Sequence, residues 1–378
     1  MKKARKIKVA VAISGGVDSS VAAALLKKQG YDVFGVFMHF WNESVQGKAR
    51  DNVCCSLESQ EDARRVCQQL DIPFYTMNMS VPFKKKIVDD FVDEYENCRT
   101  PNPCVRCNKY IKFGEFLKKA RLLGAEYIAT GHYARIAYGD REILNPKSEI
   151  LNKSKIPNPK SKIRLWRSAD KQKDQTYFLH GLTQAQLKRV LFPVGNYKKA
   201  QVRALAKKFG LAVHSKKESQ EICFIPSGDT AEFLQRHLNY KKGAMKDVAT
   251  KKTVGEHDSL AFYTVGQRKG IGLAGGPWYV SRLDKKNNVL WITKNAGDLL
   301  CRDLIVKNVN WIAGVKPKFP ISVKCKIRYR AADSLATVNE LSNGRYVVKF
   351  KKPERAVTPG QHCVFWKGDE CFGGGEIV

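Results

Sequence analysis

The 378-residue sequence has few acidic residues and no long apolar run. Aspartate and glutamate number 36 against 67 lysines and arginines, which gives a formal charge of +31. Such an excess favours a polyanionic partner, because neutralising phosphates releases counterions. A basic surface that serves solubility is the alternative. The apolar stretch 7–13 is too short to span a bilayer and follows no signal peptide, so we expect a cytoplasmic protein without a membrane partner.

The chain has eleven cysteines, but without a secretion signal they do not indicate a disulfide framework. In a reducing compartment cysteines serve as core residues, metal ligands or catalytic thiols. Cys67 and Cys325 fall on the apolar faces of a predicted helix and a predicted strand, so we expect both in the core. The adjacent pair Cys54 and Cys55 is interpreted as structural.

Strand and helix patterns alternate over the first two hundred residues. Apolar strands are predicted at 7–13, 33–38 and 127–130, and helices at 17–29 and around 113–120. This alternation indicates an α/β fold with a parallel sheet covered on both faces. In such sheets ligands bind at the carboxyl ends of the strands.

The pattern changes to strict alternation in the last eighty residues. Residues 321–329 alternate apolar and basic, which predicts a half-buried strand with an outward basic stripe. Further strands are predicted at 345–350 and 362–366, separated by glycine and proline turns. Together they indicate a small antiparallel barrel.

These patterns divide the chain into three predicted domains. Residues 1–218 form the α/β domain, 219–300 a small mixed central domain, and 301–378 the barrel. A basic stretch at about 138–164 contains a near-repeat rich in asparagine, proline, lysine and serine. We interpret it as a flexible surface insertion.

The run 14–20 follows the first predicted strand and opens the first helix. Its adjacent glycines let the backbone approach an anion, and amide groups at a helix N-terminus bind anions. The hydroxyls of Ser14, Ser19 and Ser20 are predicted to add donors. The spacing of a Walker loop is absent, so ordinary kinase or GTPase chemistry is not indicated. A purely structural turn, with Asp18 suiting the helix dipole, is the alternative.

This run resembles the Ser-Gly-Gly-x-Asp-Ser signature of the PP-loop ATP pyrophosphatases. Members split ATP between its α and β phosphates and adenylate a carbonyl oxygen, which a nucleophile then displaces. Motifs along the rest of the chain resemble one group among them, the tRNA-specific 2-thiouridylases. These motifs are 100–109, 129–133, 173–178, 191–195, 221–224, 266–270, 277–280, 328–330 and 358–361.

The resemblance implies a Rossmann-like PP-loop domain, a central domain and a C-terminal antiparallel β-barrel. It also implies ATP-dependent replacement of the C2 oxygen of the wobble uridine by sulfur from a cysteine persulfide. ATP and Mg²⁺ are the implied cofactors. The implied partners are the anticodon region of tRNA and a sulfur-donor protein of a cysteine desulfurase relay, and we expect a monomer.

The resemblance also assigns site residues by position. Cys107 matches the nucleophile, Cys223 the persulfide carrier, and Asp18 is assigned to catalysis. His132 is expected to end a strand near the nucleotide. The implied ATP-binding residues are Ala12, Ile13, Ser14, Gly15, Gly16, Val17, Asp18, Ser19, Met38 and Gly131. The implied contacts to the target base and tRNA are Asn102, Pro103, Cys104, Lys173, Asp174, Gln175, Arg328 and Tyr329.

The residues themselves give a mixed view of the two assigned cysteines. Cys107 lies in a polar, proline-bounded stretch beside Arg106 and Lys109, which argues against burial. Cys223 stands in a short apolar stretch, where a buried cysteine is the ordinary expectation. Whether the two form a transient disulfide stays open at this point.

The chain departs from many relatives at Cys104, where they have aspartate. The Cys104-x-x-Cys107 spacing suits zinc, a redox pair or part of an iron–sulfur cluster. With Cys223 it supplies three ligands for a 4Fe–4S cluster, which would then carry the sulfide in place of a persulfide. Two other functions stay open: an amidating PP-loop ligase and a non-catalytic, zinc-clamped RNA-binding protein.

Overall fold

The computed structural model describes residues 5–45, 48–49, 56–139, 162–216, 222–225 and 229–378, with side chains except at 44, 45, 48 and 49. Cys54, Cys55 and most of the predicted basic insertion lie outside the described residues. Within the described ranges, no helix is long and apolar enough to cross a membrane.

The N-terminal part alternates strands and helices as the sequence predicts. Its elements are β1 (Lys8–Ala12), α1 (Val17–Lys28), β2 (Asp32–His39), β3 (Ser44–Val45), β4 (Lys48–Ala49), α2 (Leu57–Gln69), β5 (Phe74–Asn78), α3 (Ser80–Phe83), α4 (Asp89–Glu96), α5 (Pro103–Arg106), α6 (Phe116–Leu122), β6 (Tyr127–Ala129), β7 (Ala134–Tyr138), β8 (Ile163–Arg167), α7 (Thr176–Leu179), α8 (Gln184–Leu187), β9 (Val190–Leu191), α9 (Lys199–Lys208) and α10 (Thr230–His237). The π-helical segments Lys84–Val88 and Cys107–Glu115 join α3 to α4 and α5 to α6.

A parallel sheet in the order β5-β2-β1-β6-β9 forms the centre of this part. The central strand β1 is fully buried at Val9, Ala10 and Val11, which is why its sequence is apolar throughout after Lys8. Cys67 on α2 is buried against the sheet, where a Cβ on Gly35 would lie 2.4 Å from its sulfur. The predicted parallel sheet and the predicted core position of Cys67 are therefore confirmed.

The central part of the chain contributes a small mixed sheet. Its strands are β10 (Gly243–Asp247), β11 (Thr253–His257), β12 (Tyr279–Asp284) and β13 (Val289–Thr293), in the order β11-β10-β13-β12. A short 3₁₀ turn at Leu260–Phe262 lies between β11 and β12 in the sequence, and another at Ala296–Leu299 follows β13. Met245, Val280 and Leu290 are buried in its own hydrophobic cluster.

The C-terminal part is a closed antiparallel barrel, as predicted. Its strands are β14 (Leu300–Trp311), β15 (Ile321–Lys326), β16 (Ser334–Glu340), β17 (Tyr346–Arg355), β18 (His362–Lys367) and β19 (Glu370–Ile377). They follow the order β14-β17-β16-β15-β18-β19, and pairing of β14 with β19 closes the barrel. Cys325 points into the barrel core and is fully buried, which confirms its predicted place.

The sequence did not indicate that two N-terminal strands join the barrel sheet. β8 pairs with β19 and β7 pairs with β8, so this hairpin extends the barrel from the N-terminal part. Arg167 at the end of β8 donates to both carboxylate oxygens of Asp333 at 2.7 and 2.8 Å. Its guanidinium also lies 4.4 Å from the ring centre of Trp366. These contacts fix the barrel against the α/β part, and Trp366 also lines a cleft between the two.

Candidate active site

A cleft of about 1490 Å³ lies between the α/β part and the barrel. It opens at the carboxyl ends of β1, β2 and β6, where ligands collect in parallel sheets. The predicted ATP-contacting and tRNA-contacting residues all line it. Cys107 and Cys223 are not among its described lining residues. The cleft thus gathers both predicted groups in one place, while their roles stay predictions.

The loop between β1 and α1 is shaped for close backbone approach. Gly15 has φ +69°, and a Cβ there would lie 2.3 Å from the carbonyl oxygen of Ser59, so only glycine fits. The hydroxyl of Ser19 accepts from the amide of Ser14 at 3.2 Å and donates to the carbonyl of Gly16 at 3.1 Å. The hydroxyl of Ser20 is buried and donates to the same carbonyl at 2.8 Å. The prediction that Ser20 offers a donor to a bound anion is therefore wrong.

Asp18 lies in the first turn of α1 and is the centre of a polar cluster in the cleft. Both of its carboxylate oxygens accept from the Nζ of Lys199 at 2.7 Å. The hydroxyl of Tyr133 donates to Oδ1 at 2.8 Å. Gly131 packs against the same turn, since a Cβ there would lie 2.6 Å from the amide of Ser19. These contacts hold Asp18 in the cleft beside the loop at 14–19.

Two members of this cluster escaped the sequence analysis. Tyr133 stands in the quoted motif 129–133, but nothing in the sequence connects its hydroxyl to Asp18. Lys199 is one of two adjacent lysines at the start of α9 in a lysine-rich chain, and no periodicity distinguishes it. Its side chain is only 12% exposed, which a structure reveals and a sequence does not.

His132 follows β6 and lies on the cleft wall beside the loop, as expected. Its Nδ1 lies 2.7 Å from the hydroxyl of Thr130. The rings of Phe113 and Phe192 pack on it at centroid distances of 5.6 and 6.1 Å. Burial among them, with the nearby charge of Lys112, lowers the pKa of His132 well below its usual value. The imidazole is therefore neutral at physiological pH.

The two cysteines of the Cys-x-x-Cys motif have opposite environments. Asn102 caps α5 by accepting from the amide of Val105 at 3.3 Å, and Pro103 occupies the first helical position. The stretch is therefore a helix start, which exposes Cys104 in the cleft and turns Cys107 inward, where it is 7% exposed. The expectation that Cys107 lies in an accessible loop is wrong.

Cys223 also differs from the expectation based on its residues alone. It is only partly buried, and it packs against the hydrophobic cluster that contains Cys107. Across the described ranges, no group of three or more histidine, cysteine or acidic side chains is placed to hold a metal ion. Cys104, Cys107 and Cys223 do not form such a group, so their arrangement does not fit a 4Fe–4S cluster.

The Lys173–Gln175 segment lines the cleft, but two of its side chains are used within the protein. The carboxylate of Asp174 accepts from the hydroxyl of Thr176 at 2.6 Å, and burial raises its pKa. The amide oxygen of Gln175 accepts from the backbone N–H of Tyr133 at 2.9 Å. These bonds fix the shape of the segment that faces the cleft.

Arg328 lies beyond the end of β15 and is half-buried. Its guanidinium donates to the carbonyls of Val265 and Ala356 at 3.1 and 2.8 Å, and to the hydroxyl of Thr358 at 2.8 Å. Burial lowers the pKa of Arg328, although it stays a cation. The predicted outward basic stripe is therefore wrong at this position, where the arginine joins the central part to the barrel. The ring of Tyr329 beside it packs on the ring of Phe178, with 4.3 Å between the ring centroids.

The cleft is strongly electropositive. Among the described lining residues, the basic ones are Lys112, Lys171, Lys173, Lys199, Lys216, Lys326, Arg328 and Arg330. The acidic ones are Asp18, Glu58 and Asp174. This balance suits a polyanionic ligand.

Comparison with known proteins gives matches along the whole chain. A family model described as the tRNA methyl transferase HUP domain matches residues 7–227. Models for a tRNA methyl transferase PRC-barrel domain and an aminomethyltransferase beta-barrel domain match residues 231–294 and 301–377.

Curated relatives of nearly the same length carry one name. The tRNA-specific 2-thiouridylase MnmA of Clostridium perfringens is 45% identical over 374 residues, which cover 98% of each chain. MnmA 2 of Clostridium tetani is 46% identical and covers 98% of this chain and 99% of its own. MnmA of Geobacillus thermodenitrificans is 44% identical and covers 100% of this chain and 96% of its own.

Proposed function

Because this chain belongs to the tRNA-specific 2-thiouridylase family, we propose that it is a tRNA-uridine 2-sulfurtransferase that uses ATP to thiolate the wobble uridine. The observation that carries the proposal is the shared cleft. The loop at 14–19, the exposed Cys104 and the basic barrel rim, which is formed by Lys326 and Arg330, all line it. A nucleotide and an RNA base can therefore meet there.

In the first half-reaction the uracil C2 oxygen attacks the α-phosphorus of ATP, and pyrophosphate leaves. The residues support this step through the amides of the loop at 14–19, which lie at the N-terminus of α1. Mg²⁺ is held in proteins by one or two carboxylates together with substrate phosphates, and it neutralises phosphate charge. We assign this role to Asp18, which lines this end of the cleft.

In the second half-reaction the terminal sulfur of a persulfide on Cys223 attacks C2, and AMP leaves with the former uracil oxygen. The Cys107 thiolate then attacks the sulfur of Cys223, which releases 2-thiouridine and leaves a Cys107–Cys223 disulfide for an external thiol to reduce. Cys107 belongs to the large hydrophobic cluster against which Cys223 also packs, and Cys223 is partly accessible to a donor protein. A sulfur-donor protein of a cysteine desulfurase relay recharges Cys223.

The test is incubation with ATP, Mg²⁺, a persulfide donor and unmodified tRNA, followed by mass analysis of the nucleosides. We expect 2-thiouridine at the wobble position from the wild type and none from Cys223→Ser. Cys301→Ser is the matched control, because Cys301 is also partly buried but lies on the barrel strand β14. It should retain activity.

Two results would contradict the proposal. An amidating ligase would form no 2-thiouridine and would tolerate Cys223→Ser. A cluster-dependent enzyme would show visible charge-transfer absorption after anaerobic purification, lost in Cys104→Ala, and would require this cofactor for thiolation. A colourless enzyme that thiolates tRNA excludes the cluster route.

A further inference from the structure

The segment Asp170–Gln175 is called here the 170–175 loop, and its residues 171–175 line the cleft together with the nucleotide loop at 14–19 and residues of the barrel. Its two ends are hydrogen-bonded to two residues that both hold Asp18. One route passes through Tyr133 at the C-terminal end of the loop. The other passes through Lys199 at its N-terminal end.

The first route depends on three hydrogen bonds of Tyr133. Its hydroxyl donates to Asp18 Oδ1 at 2.8 Å. Its backbone N–H donates to the side-chain oxygen of Gln175 at 2.9 Å, and the backbone N–H of Gln175 donates back to its carbonyl at 2.9 Å. A movement of the Asp18 carboxylate therefore reaches the end of the loop through one residue.

The second route depends on Lys199. Its Nζ donates to both oxygens of Asp18 at 2.7 Å, while its backbone N–H donates to Asp170 Oδ2 at 2.8 Å. The other oxygen of Asp170 accepts from the amides of Gln172 and Lys173 at 3.1 and 3.3 Å. The start of the loop is therefore hydrogen-bonded to Lys199, whose ammonium group also pairs with Asp18.

Both routes run through well-packed groups. Tyr133 is 3% exposed and packs with Val17 and Val21 of α1 in one hydrophobic cluster. Beyond the loop, the hydroxyl of Thr176 accepts from the indole N–H of Trp366 at 3.1 Å, which joins this side of the cleft to the barrel. Packed, hydrogen-bonded chains of this kind transmit small displacements between sites.

Nucleotide binding must disturb the centre of this arrangement. The phosphates of ATP compete with Asp18 for the ammonium of Lys199, and Mg²⁺ competes with Lys199 and Tyr133 for the carboxylate of Asp18. This step rests on the proposed function, which places ATP at the loop. The bonds that hold both ends of the 170–175 loop then change together.

We propose that Tyr133 and the Lys199–Asp170 pair are positioning residues that couple Mg²⁺–ATP binding to tRNA binding. The occupancy of Asp18 sets the position of the 170–175 loop, and the loop sets the fit of the RNA in the cleft. By reciprocity, tRNA changes the affinity for the nucleotide by the same factor.

The experiment measures the dissociation constant for unmodified tRNA by fluorescence anisotropy, with and without a saturating Mg²⁺ complex of a non-hydrolysable ATP analogue. We expect the two constants of the wild type to differ by at least about fivefold. The double variant Tyr133→Phe/Asp170→Asn should reduce this ratio to within about twofold of one, and each single variant should give an intermediate ratio.

Tyr346→Phe is the matched control. It removes a hydroxyl that lies 3.4 Å from Glu340 within the barrel, and it should keep the wild-type ratio. A loss of packing alone would weaken tRNA binding equally with and without nucleotide, which leaves the ratio unchanged. Circular dichroism and the affinity for the nucleotide alone verify that each variant is folded.

Two results would overturn the coupling: a wild-type ratio within twofold of one, or an unchanged ratio in the folded double variant. If the wild type thiolates tRNA in the same preparation, either result rejects the coupling and leaves the proposed function intact. If the wild type binds neither tRNA nor nucleotide, both proposals are rejected.

Discussion

Replacing Gly15 with alanine tests the geometry of the nucleotide loop. Gly15 and Gly30 both have positive φ, at +69° and +83°, so alanine at either position brings a backbone strain of about 1–2 kcal/mol. A Cβ on Gly30 meets nothing within 4 Å. A Cβ on Gly15 would lie 2.3 Å from the carbonyl oxygen of Ser59, which belongs to the backbone of α2 and has no flexible end to move.

Gly15→Ala must therefore displace the loop, whereas Gly30→Ala only strains the chain. We expect Gly15→Ala to weaken binding of a non-hydrolysable Mg²⁺–ATP analogue by at least tenfold, which is about 1.4 kcal/mol. Gly30→Ala should bind it like the wild type, although it unfolds at a lower temperature. Calorimetric titration and thermal unfolding of the three proteins separate the two effects. Equal nucleotide affinity in Gly15→Ala and Gly30→Ala would refute the assignment of the loop.

Two further predictions concern the barrel side of the cleft. Burial opposes ionisation of Asp333, but the hydrogen bonds and the charge of Arg167 outweigh burial and lower the pKa of Asp333. Asp333→Asn should therefore lower the free energy of unfolding by about 2 kcal/mol at neutral pH. Urea unfolding should show that the difference in unfolding free energy between the two proteins shrinks as the pH falls below about 3.9 and through the lowered pKa. A difference that stays constant until Asp333 is fully protonated would contradict this prediction. Arg328→Ala should lower both tRNA affinity and thermal stability, because it removes the donor to the carbonyl of Val265 and one of the two donors to that of Ala356. Arg330→Ala at the exposed end of this stretch should lower tRNA affinity and reduce its salt dependence. Unchanged tRNA affinity in Arg330→Ala would exclude the rim as an RNA contact.

The fold followed from local patterns wherever one face of an element decides its sequence. The apolar residues Val9–Ala12 of β1 indicated a buried parallel strand, and the alternation in β15 indicated a barrel strand with Cys325 inside. Pairing of β8 with β19 was beyond this reasoning. The two strands are separated by about two hundred residues, and no turn residue or spacing in the sequence indicates that β8 pairs with β19.

The site was predictable where backbone chemistry dictates the sequence and less so where the tertiary fold decides. Gly15 of the nucleotide loop was predictable because no other residue fits its positive φ and its close approach to Ser59. The burial of Cys107 has a local signal in the sequence, since Asn102 followed by proline is typical of a helix start. Lys199 had none, because its salt bridge to Asp18 joins residues that only the packing of α9 beside α1 brings together.

The fate of the uracil oxygen tests the central claim most directly. A tRNA substrate that carries ¹⁸O at C2 of the wobble uridine is incubated with the enzyme, ATP, Mg²⁺ and a persulfide donor, and the AMP is analysed by mass spectrometry. Adenylation of the C2 oxygen predicts that each 2-thiouridine formed is matched by one AMP that contains the heavy oxygen. Thiolation accompanied by unlabelled AMP, with the label released to water, would contradict the account.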